Sequence, residues 1–167
     1  DGPCEGGSPI CYDEVYDETA WAYGGKDIAT ENNKIKGNNS KNWGWTNNFK
    51  GGTGFPVVLE LWAAAGQNKT ANGFLVGTVT VGVDGDDVTV TYEIDEDYQI
   101  TEAHLWVGCT ALPEIKQGKK KIPTAAPGQF PYRPVIAEDG KSAEITIPDI
   151  SCENGNGNGN GNGNGFW

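Results

Sequence analysis

The sequence has no methionine, a single histidine and no long apolar run. A membrane-spanning helix needs roughly 20 consecutive apolar residues, so we predict no membrane span. The strings that identify zinc proteases, nucleophile elbows and P-loops are also missing. The histidine, His104, has no serine or cysteine motif around it, so we predict that it is a packing or surface residue. We therefore predict that the protein is not an enzyme; a glycosidase-like pair of carboxylates across a cleft stays open as the alternative.

Basic residues are scarce, with 12 Lys and Arg against 23 Asp and Glu and a formal net charge of −11. Such a surface repels phosphate backbones, so we predict no nucleic-acid partner. It attracts cations, and clustered carboxylates can bind calcium. The candidate calcium ligands lie in two acidic turns and are Asp84, Asp86, Asp87, Asp95 and Asp97. Neither turn matches the EF-hand loop, so solvated turns are the alternative, and no other cofactor is predicted.

Short Cys-x-x-Cys spacings are absent, which disfavours a zinc site. The four cysteines are Cys4, Cys11, Cys109 and Cys152. An even number in an Asn-, Gly- and Thr-rich chain predicts two disulfides and an extracellular or cell-surface location, and the sequence does not choose among the three pairings. Because the chain begins at Asp1 and lacks methionine, we expect a mature form from which a leader has been removed. Asn38 and Asn68 lie in acceptor sequons for N-linked glycans.

Helical patterns are also lacking, since no stretch of ten or more residues carries an apolar helical stripe. Residues 76–94 instead alternate valine with threonine on either side of a Gly/Asp turn, which predicts a β-hairpin with one buried face. Residues 100–108 and 141–150 are predicted strands, and 55–66 favours a strand over a helical turn. Turn signals recur about every eight to twelve residues, which is typical of an antiparallel β-sandwich of about seven to nine strands.

The predicted organisation has three parts. Residues 1–14 form an N-terminal extension, 15–152 a β-sandwich domain, and 153–167 an extended Asn-Gly tail with an aromatic tip. The composition changes abruptly at Cys152, and that change sets the predicted boundary.

Six strings in the β domain occur in a characteristic order: ETAWAYGG, NWGWTNNF, LWAAAGQNK, GFLVGTVTV, TEAHLWVG and APGQFPY. Together they resemble a family of small secreted β-modules found as domains of bacterial and archaeal surface proteins. The resemblance covers most of residues 15–150 and leaves out the tail. It implies an extracellular β-sandwich and supplies no catalytic residue.

Trp43 and Trp45 are candidates for a sugar-binding platform. Residues two apart in a strand face the same side, about 7 Å from each other. Two such rings can stack on sugars, which would make the protein a carbohydrate-binding or adhesion module. Buried tryptophans of a sandwich core give the same pattern, so packing is the alternative.

The tail alternates Asn and Gly strictly from Asn154 and Gly155 to Asn164 and Gly165, and Phe166 and Trp167 follow. An extended alternating segment presents amides on one face and bare backbone on the other, so it can lie against a second chain. The two aromatics would anchor its tip in a pocket. We therefore predict a self-assembling structural subunit that forms a homopolymeric filament by β-augmentation. The alternatives are a flexible linker, and exchange of residues 1–15 instead of the tail.

Overall fold

The computed structural model describes residues 17–33, 41–50, 53–152 and 165–167. Within these ranges the chain forms ten strands, one short helix and three short 3-10 helices. The strands are β1 (Ala20–Ala22), β2 (Lys26–Asp27), β3 (Trp45–Thr46), β4 (Val57–Ala63), β5 (Phe74–Asp84), β6 (Asp87–Ile94), β7 (Glu114–Gln117), β8 (Lys120–Pro123), β9 (Val135–Ile136) and β10 (Ser142–Ile147). Helix α1 is Ile28–Asn33, and the 3-10 helices are Gly66–Asn68, Thr70–Asn72 and Pro127–Gln129. In these ranges no helix is long and apolar enough to cross a membrane.

A six-stranded antiparallel sheet forms the centre of the fold, in the order β1-β4-β5-β6-β10-β9. Its middle is the predicted hairpin of β5 and β6. The two strands pair continuously, from Gly77 opposite Ile94 to Asp84 opposite Asp87. The turn is Gly85-Asp86, and Gly85 has a φ of 60°, a left-handed conformation that glycine adopts at little cost. Strands β4 and β10 lie within the predicted strands at 55–66 and 141–150. The all-β, antiparallel class is confirmed.

The layer opposite this sheet differs from the predicted second sheet of a sandwich. In the described residues, the remaining strands form only two ribbons, β2-β3 and β7-β8. Loop segments provide the apolar side chains that pack against the large sheet, among them Phe49, Phe55, Leu105 and Val107. The alternating pattern specifies which side of a segment is buried, but it does not specify that two segments become hydrogen-bonded neighbours.

The predicted strand at 100–108 illustrates this difference, because the structure assigns it no strand. Ala103 and Val107 are buried, as the alternation requires. However, among the described residues its strand-type backbone pairs are limited to Leu105 with Tyr132 and Gly108 with Trp167. The prediction of a regular strand was therefore wrong, because in the described part of the chain this extended segment has isolated backbone pairs and no continuous ladder.

Two apolar clusters make up the core. The larger one lies on one face of the main sheet and includes Val79, Val90 and Ile147. Phe166 belongs to this cluster although it follows the whole Asn-Gly tract in the sequence. The smaller cluster consists of Ile28, Leu112 and Ala125, with Trp21 packed against it.

Candidate functional site

The segment 165–167 lies between two extended pieces of the same chain. On one side Phe166 and Phe49 form an antiparallel pair, with N···O distances of 2.8 and 3.0 Å. On the other side Trp167 and Gly108 exchange both backbone hydrogen bonds, with N···O distances of 2.8 and 3.0 Å. The N–H and C=O groups of both Phe166 and Trp167 are thus satisfied, as they are in a central β-strand. We call the surface that receives this segment, formed by Phe49, Phe55 and Gly108, the docking groove.

The side chain of Phe166 fills the floor of the docking groove. Only 1% of it is exposed. Its ring stacks on that of Phe55, with centroids 5.8 Å apart, and it contacts the ring of Phe49 at 5.2 Å. Burying a phenylalanine contributes about 1.5–3 kcal/mol, and each well-placed aromatic pair adds roughly 0.5–1.5 kcal/mol. Phe166 is therefore an anchor in an apolar pocket of its own chain, whereas the prediction placed the aromatic tip in a pocket of a neighbouring copy.

Gly108 is held at the groove by packing that leaves no space for a side chain. A Cβ atom at this position would lie 2.3 Å from the indole of Trp106. That indole is fixed in turn, because its Nε1 donates to the carbonyl oxygen of Thr110 at 2.8 Å and its ring stacks on Tyr132. The backbone of residue 108 can therefore approach Trp167 only if residue 108 has no side chain.

The residue after Gly108 fixes the root of the Asn-Gly tract. Cys109 and Cys152 form a disulfide, with Cα atoms 5.4 Å apart. Because consecutive Cα atoms are about 3.8 Å apart and a hydrogen-bonded antiparallel pair about 5.5 Å, the Cα atoms of Cys152 and Trp167 are at most about 15 Å apart. Fully extended, the chain between them would span about 50 Å. The tract is much longer than its own closure requires.

A cavity of about 1100 Å³ lies beside the docked segment. Its walls include Val79 and Val90 of the main sheet, Phe166 and Trp167 of the segment, and Tyr92. Burial raises the pKa of the Tyr92 phenol to about 12 because the charged phenolate would lose its hydration. The segment thus forms part of the wall of this cavity.

The candidate chemical groups do not converge at this site. His104 is partly buried, and its Nε2 lies 2.6 Å from a carboxylate oxygen of Glu102, while Nδ1 is buried without a hydrogen-bond partner. Asp84, Asp86 and Asp87 lie in the exposed β5–β6 turn, whereas Asp95 and Asp97 follow the other end of β6. Among the described residues, no three His, Cys, Asp or Glu side chains are grouped closely enough to hold a metal ion.

The two tryptophans of the candidate sugar platform are not coplanar. Their ring centroids are 5.8 Å apart and their planes meet at 79°. Trp45 is only 6% exposed, and Trp43 is partly exposed. Tyr23, which is 47% exposed, packs edge-on against Trp45. The solvent-accessible aromatic surface here consists of Tyr23 and part of Trp43. The buried ring of Trp45 packs against both of them.

The other predicted site residues are dispersed. Asn68 is partly exposed, and its side-chain oxygen accepts a hydrogen bond from the backbone N–H of Gly44 at 2.7 Å. The remaining predicted residues lie outside the described ranges: Cys4, Cys11, Asn38, Asn154, Gly155 and Asn164. The docking groove itself was not predicted, because Gly108 is far from Phe49 and Phe55 in the sequence.

One sequence signal does point to the groove in retrospect. Phe49 is the last residue of NWGWTNNF, and Gly108 is the last residue of TEAHLWVG. The two backbone pairs of the docked segment therefore fall at the ends of two of the six strings singled out in the sequence. Comparison with known proteins finds no matching family model, no similar curated protein and no similar solved structure.

Proposed function

We propose that the protein is a structural subunit of an extracellular filament, in which the segment 165–167 of one copy occupies the docking groove of the next. The observation that carries this proposal is the placement of Phe166, which is fully buried and paired through its backbone to Phe49. An extended segment held by main-chain hydrogen bonds and one aromatic anchor is the geometry of β-augmentation. A second copy can supply the same segment with the same contacts.

The length of the Asn-Gly tract supports exchange between copies. A tract that reaches about 50 Å exceeds the width of roughly 35 Å expected for a domain of this size. Within one chain, the segment competes for its own groove at an effective concentration on the order of millimolar. Exchange between copies is therefore favoured where the subunit concentration approaches that value. Such a head-to-tail contact propagates as a filament unless the rotation between copies closes a ring.

The disulfide supports an extracellular location. Cys109 and Cys152 are joined next to the docking groove, and disulfides persist in oxidising surroundings. The net charge of −11 keeps individual subunits apart until a specific contact forms.

The proposal is tested by trapping the contact between two different variants. In the antiparallel register of Phe49 with Phe166, Asn48 lies opposite Trp167, at a Cα separation that suits a disulfide. Asn48→Cys chains are mixed with Trp167→Cys chains at high protein concentration under mild oxidation. Docking between copies yields a covalent dimer on a non-reducing gel, because neither variant can form this bond within itself.

The matched control mixes Asn48→Cys with Lys119→Cys, whose cysteine is exposed but outside the groove. It is expected to give only background cross-linking. The double variant Asn48→Cys/Trp167→Cys reports closure within one chain. If only this double variant forms the bond and the mixture never does, the segment serves its own chain alone and the filament proposal is wrong. Electron microscopy of the trapped material then shows whether the copies form filaments.

A carbohydrate-binding or adhesive module is the second candidate, and the observation that favours it is the exposed Tyr23 together with the partly exposed Trp43. Aromatic rings with one open face can pack against the apolar face of a sugar. Trp43→Ala would abolish glycan-array binding, whereas Trp62→Ala, which changes a partly exposed tryptophan on the main sheet, would not. An array on which the unmodified protein binds no glycan would rule this candidate out.

A further inference from the structure

The ribbon formed by β7 and β8 stands apart from the main sheet. In the described residues, its two strands pair only with each other, from Glu114 opposite Pro123 to Gln117 opposite Lys120. Gly118, with a φ of 63°, begins the two-residue turn at the tip. The backbone bond from Thr124 N–H to Pro113 C=O, at 2.9 Å, closes its base. The ribbon is thus a defined projection with a short, tight end.

Four lysines cover this projection, and all four are exposed: Lys116, Lys119, Lys120 and Lys121. Lys116 lies directly opposite Lys121. Directly opposite residues have Cβ atoms about 5 Å apart, and like charges in such a pair destabilise the ribbon. None of the four has a carboxylate within ion-pair distance in the described part of the chain. A cluster of unneutralised like charges is a local cost, and such costs are concentrated at functional surfaces.

The rest of the molecule has the opposite charge. The four lysines are a third of the 12 basic residues, so the remaining 8 face 23 Asp and Glu. The clearest acidic counterpart is the exposed β5–β6 turn with Asp84, Asp86 and Asp87. The other acidic turn, at 95–97, already has a cation beside it. The ammonium group of Lys141 donates hydrogen bonds to the carbonyl oxygens of Glu96 and Tyr98. In the described residues no basic side chain forms an ion pair with the β5–β6 turn.

We propose that the β7–β8 ribbon is a second assembly surface, which binds the acidic β5–β6 turn of another copy of this chain. The charge complementarity of the two hairpins identifies the partner, because the protein itself presents the acidic surface that the ribbon lacks. This contact is independent of the docking groove and uses different residues. Since it is electrostatic and exposed, it forms quickly and weakens steeply with salt, as the Debye length falls from about 30 Å at 0.01 M to about 8 Å at 0.15 M.

The test is sedimentation of freshly isolated full-length protein at 0.01 M and 0.5 M NaCl. We expect reversible self-association at low salt that is lost at high salt. Lys119→Glu/Lys120→Glu should weaken the low-salt association at least about tenfold, and Asp84→Lys/Asp86→Lys should do the same. A charge-reversed chain, in which all four ribbon lysines are replaced by Glu and Asp84, Asp86 and Asp87 are replaced by Lys, should associate like the unmodified protein, because the two surfaces have then exchanged charge and remain complementary.

The matched control is Lys41→Glu/Lys69→Glu, which makes the same change in net charge at two exposed lysines outside the ribbon. It should retain the low-salt association. The inference is overturned if the unmodified protein stays monomeric at low salt, if the control loses association as much as the ribbon variant does, or if the charge-reversed chain fails to associate. Salt-sensitive binding of the ribbon to a sulfated polysaccharide without self-association would also overturn it, and would assign the ribbon to an acidic glycan.

Discussion

The rings of Phe166 and Phe55 lie nearly parallel, with their planes 14° apart and their centroids separated by 5.8 Å. This stacking makes a residue from beyond the Asn-Gly tract part of the hydrophobic core. The segment 165–167 is therefore a structural element of the domain, and it fills the docking groove of its own chain.

Phe166→Ala should lower the free energy of unfolding by about 3–5 kcal/mol, because truncating a buried phenylalanine leaves a cavity in the core. The measurement is urea denaturation followed by tryptophan fluorescence. Phe74→Ala is the matched control, since Phe74 is 39% exposed, and it should cost roughly 1 kcal/mol or less. Equal losses for the two variants would contradict the burial of Phe166.

Gly108→Ala should release Trp167 from the groove. The new methyl group would collide with the indole of Trp106, so the backbone at residue 108 must shift away from its partner. We expect a loss of roughly 1–3 kcal/mol in unfolding free energy and faster hydrogen exchange at the Trp167 amide. Gly128→Ala, where an added Cβ meets no atom within 4 Å, should change neither quantity. A protected Trp167 amide in Gly108→Ala would count against the proposed role of glycine here.

Tyr92 should make the stability of the fold sensitive to alkaline pH. Burial raises its pKa from 10.0 to about 12, so the folded state holds this proton more tightly than the unfolded chain does. The contribution is therefore complete below pH 10 and is lost as the pH rises from 10 to 12; it amounts to roughly 2–3 kcal/mol. Between pH 10 and 12, the unfolding free energy of the unmodified protein should therefore fall by this amount more than that of Tyr92→Phe. Parallel curves would refute it.

Much of the fold is predictable because local patterns determine it. The valine-threonine alternation and the Gly85 turn define the β5–β6 hairpin without reference to any distant residue. The docking groove is different, since Phe49, Phe55, Gly108 and Phe166 meet only after the chain has folded. The sequence indicates that an aromatic tip requires a pocket, but it does not indicate where that pocket lies. The same limit explains the segment 100–108, whose buried face is predictable and whose missing neighbour is not.

The disulfide should stabilise the domain considerably. Cys109 and Cys152 are separated by 43 residues in the sequence, and closing a loop of that length removes about 4 kcal/mol of conformational entropy from the unfolded chain in the simplest model. We expect Cys109→Ser/Cys152→Ser to lose roughly 2–4 kcal/mol in urea unfolding. Adding reductant to that variant tests the contribution of the other two cysteines separately. A loss of unfolding free energy below about 1 kcal/mol for the variant without reductant would contradict the prediction.

The position of this disulfide has a mechanical consequence for a filament of exchanged segments. Part of a pull from one neighbour would enter a subunit at Gly108, which holds the docked segment on one side while Phe49 holds it on the other, and would leave at Cys152, through the subunit's own tract. Between these two points the shortest covalent path runs from Gly108 to Cys109 and across the sulfur bridge to Cys152. The tension that enters at Gly108 would therefore bypass residues 110–151, including β10. For that share of the load, each subunit would behave as a short covalent link that cannot unfold.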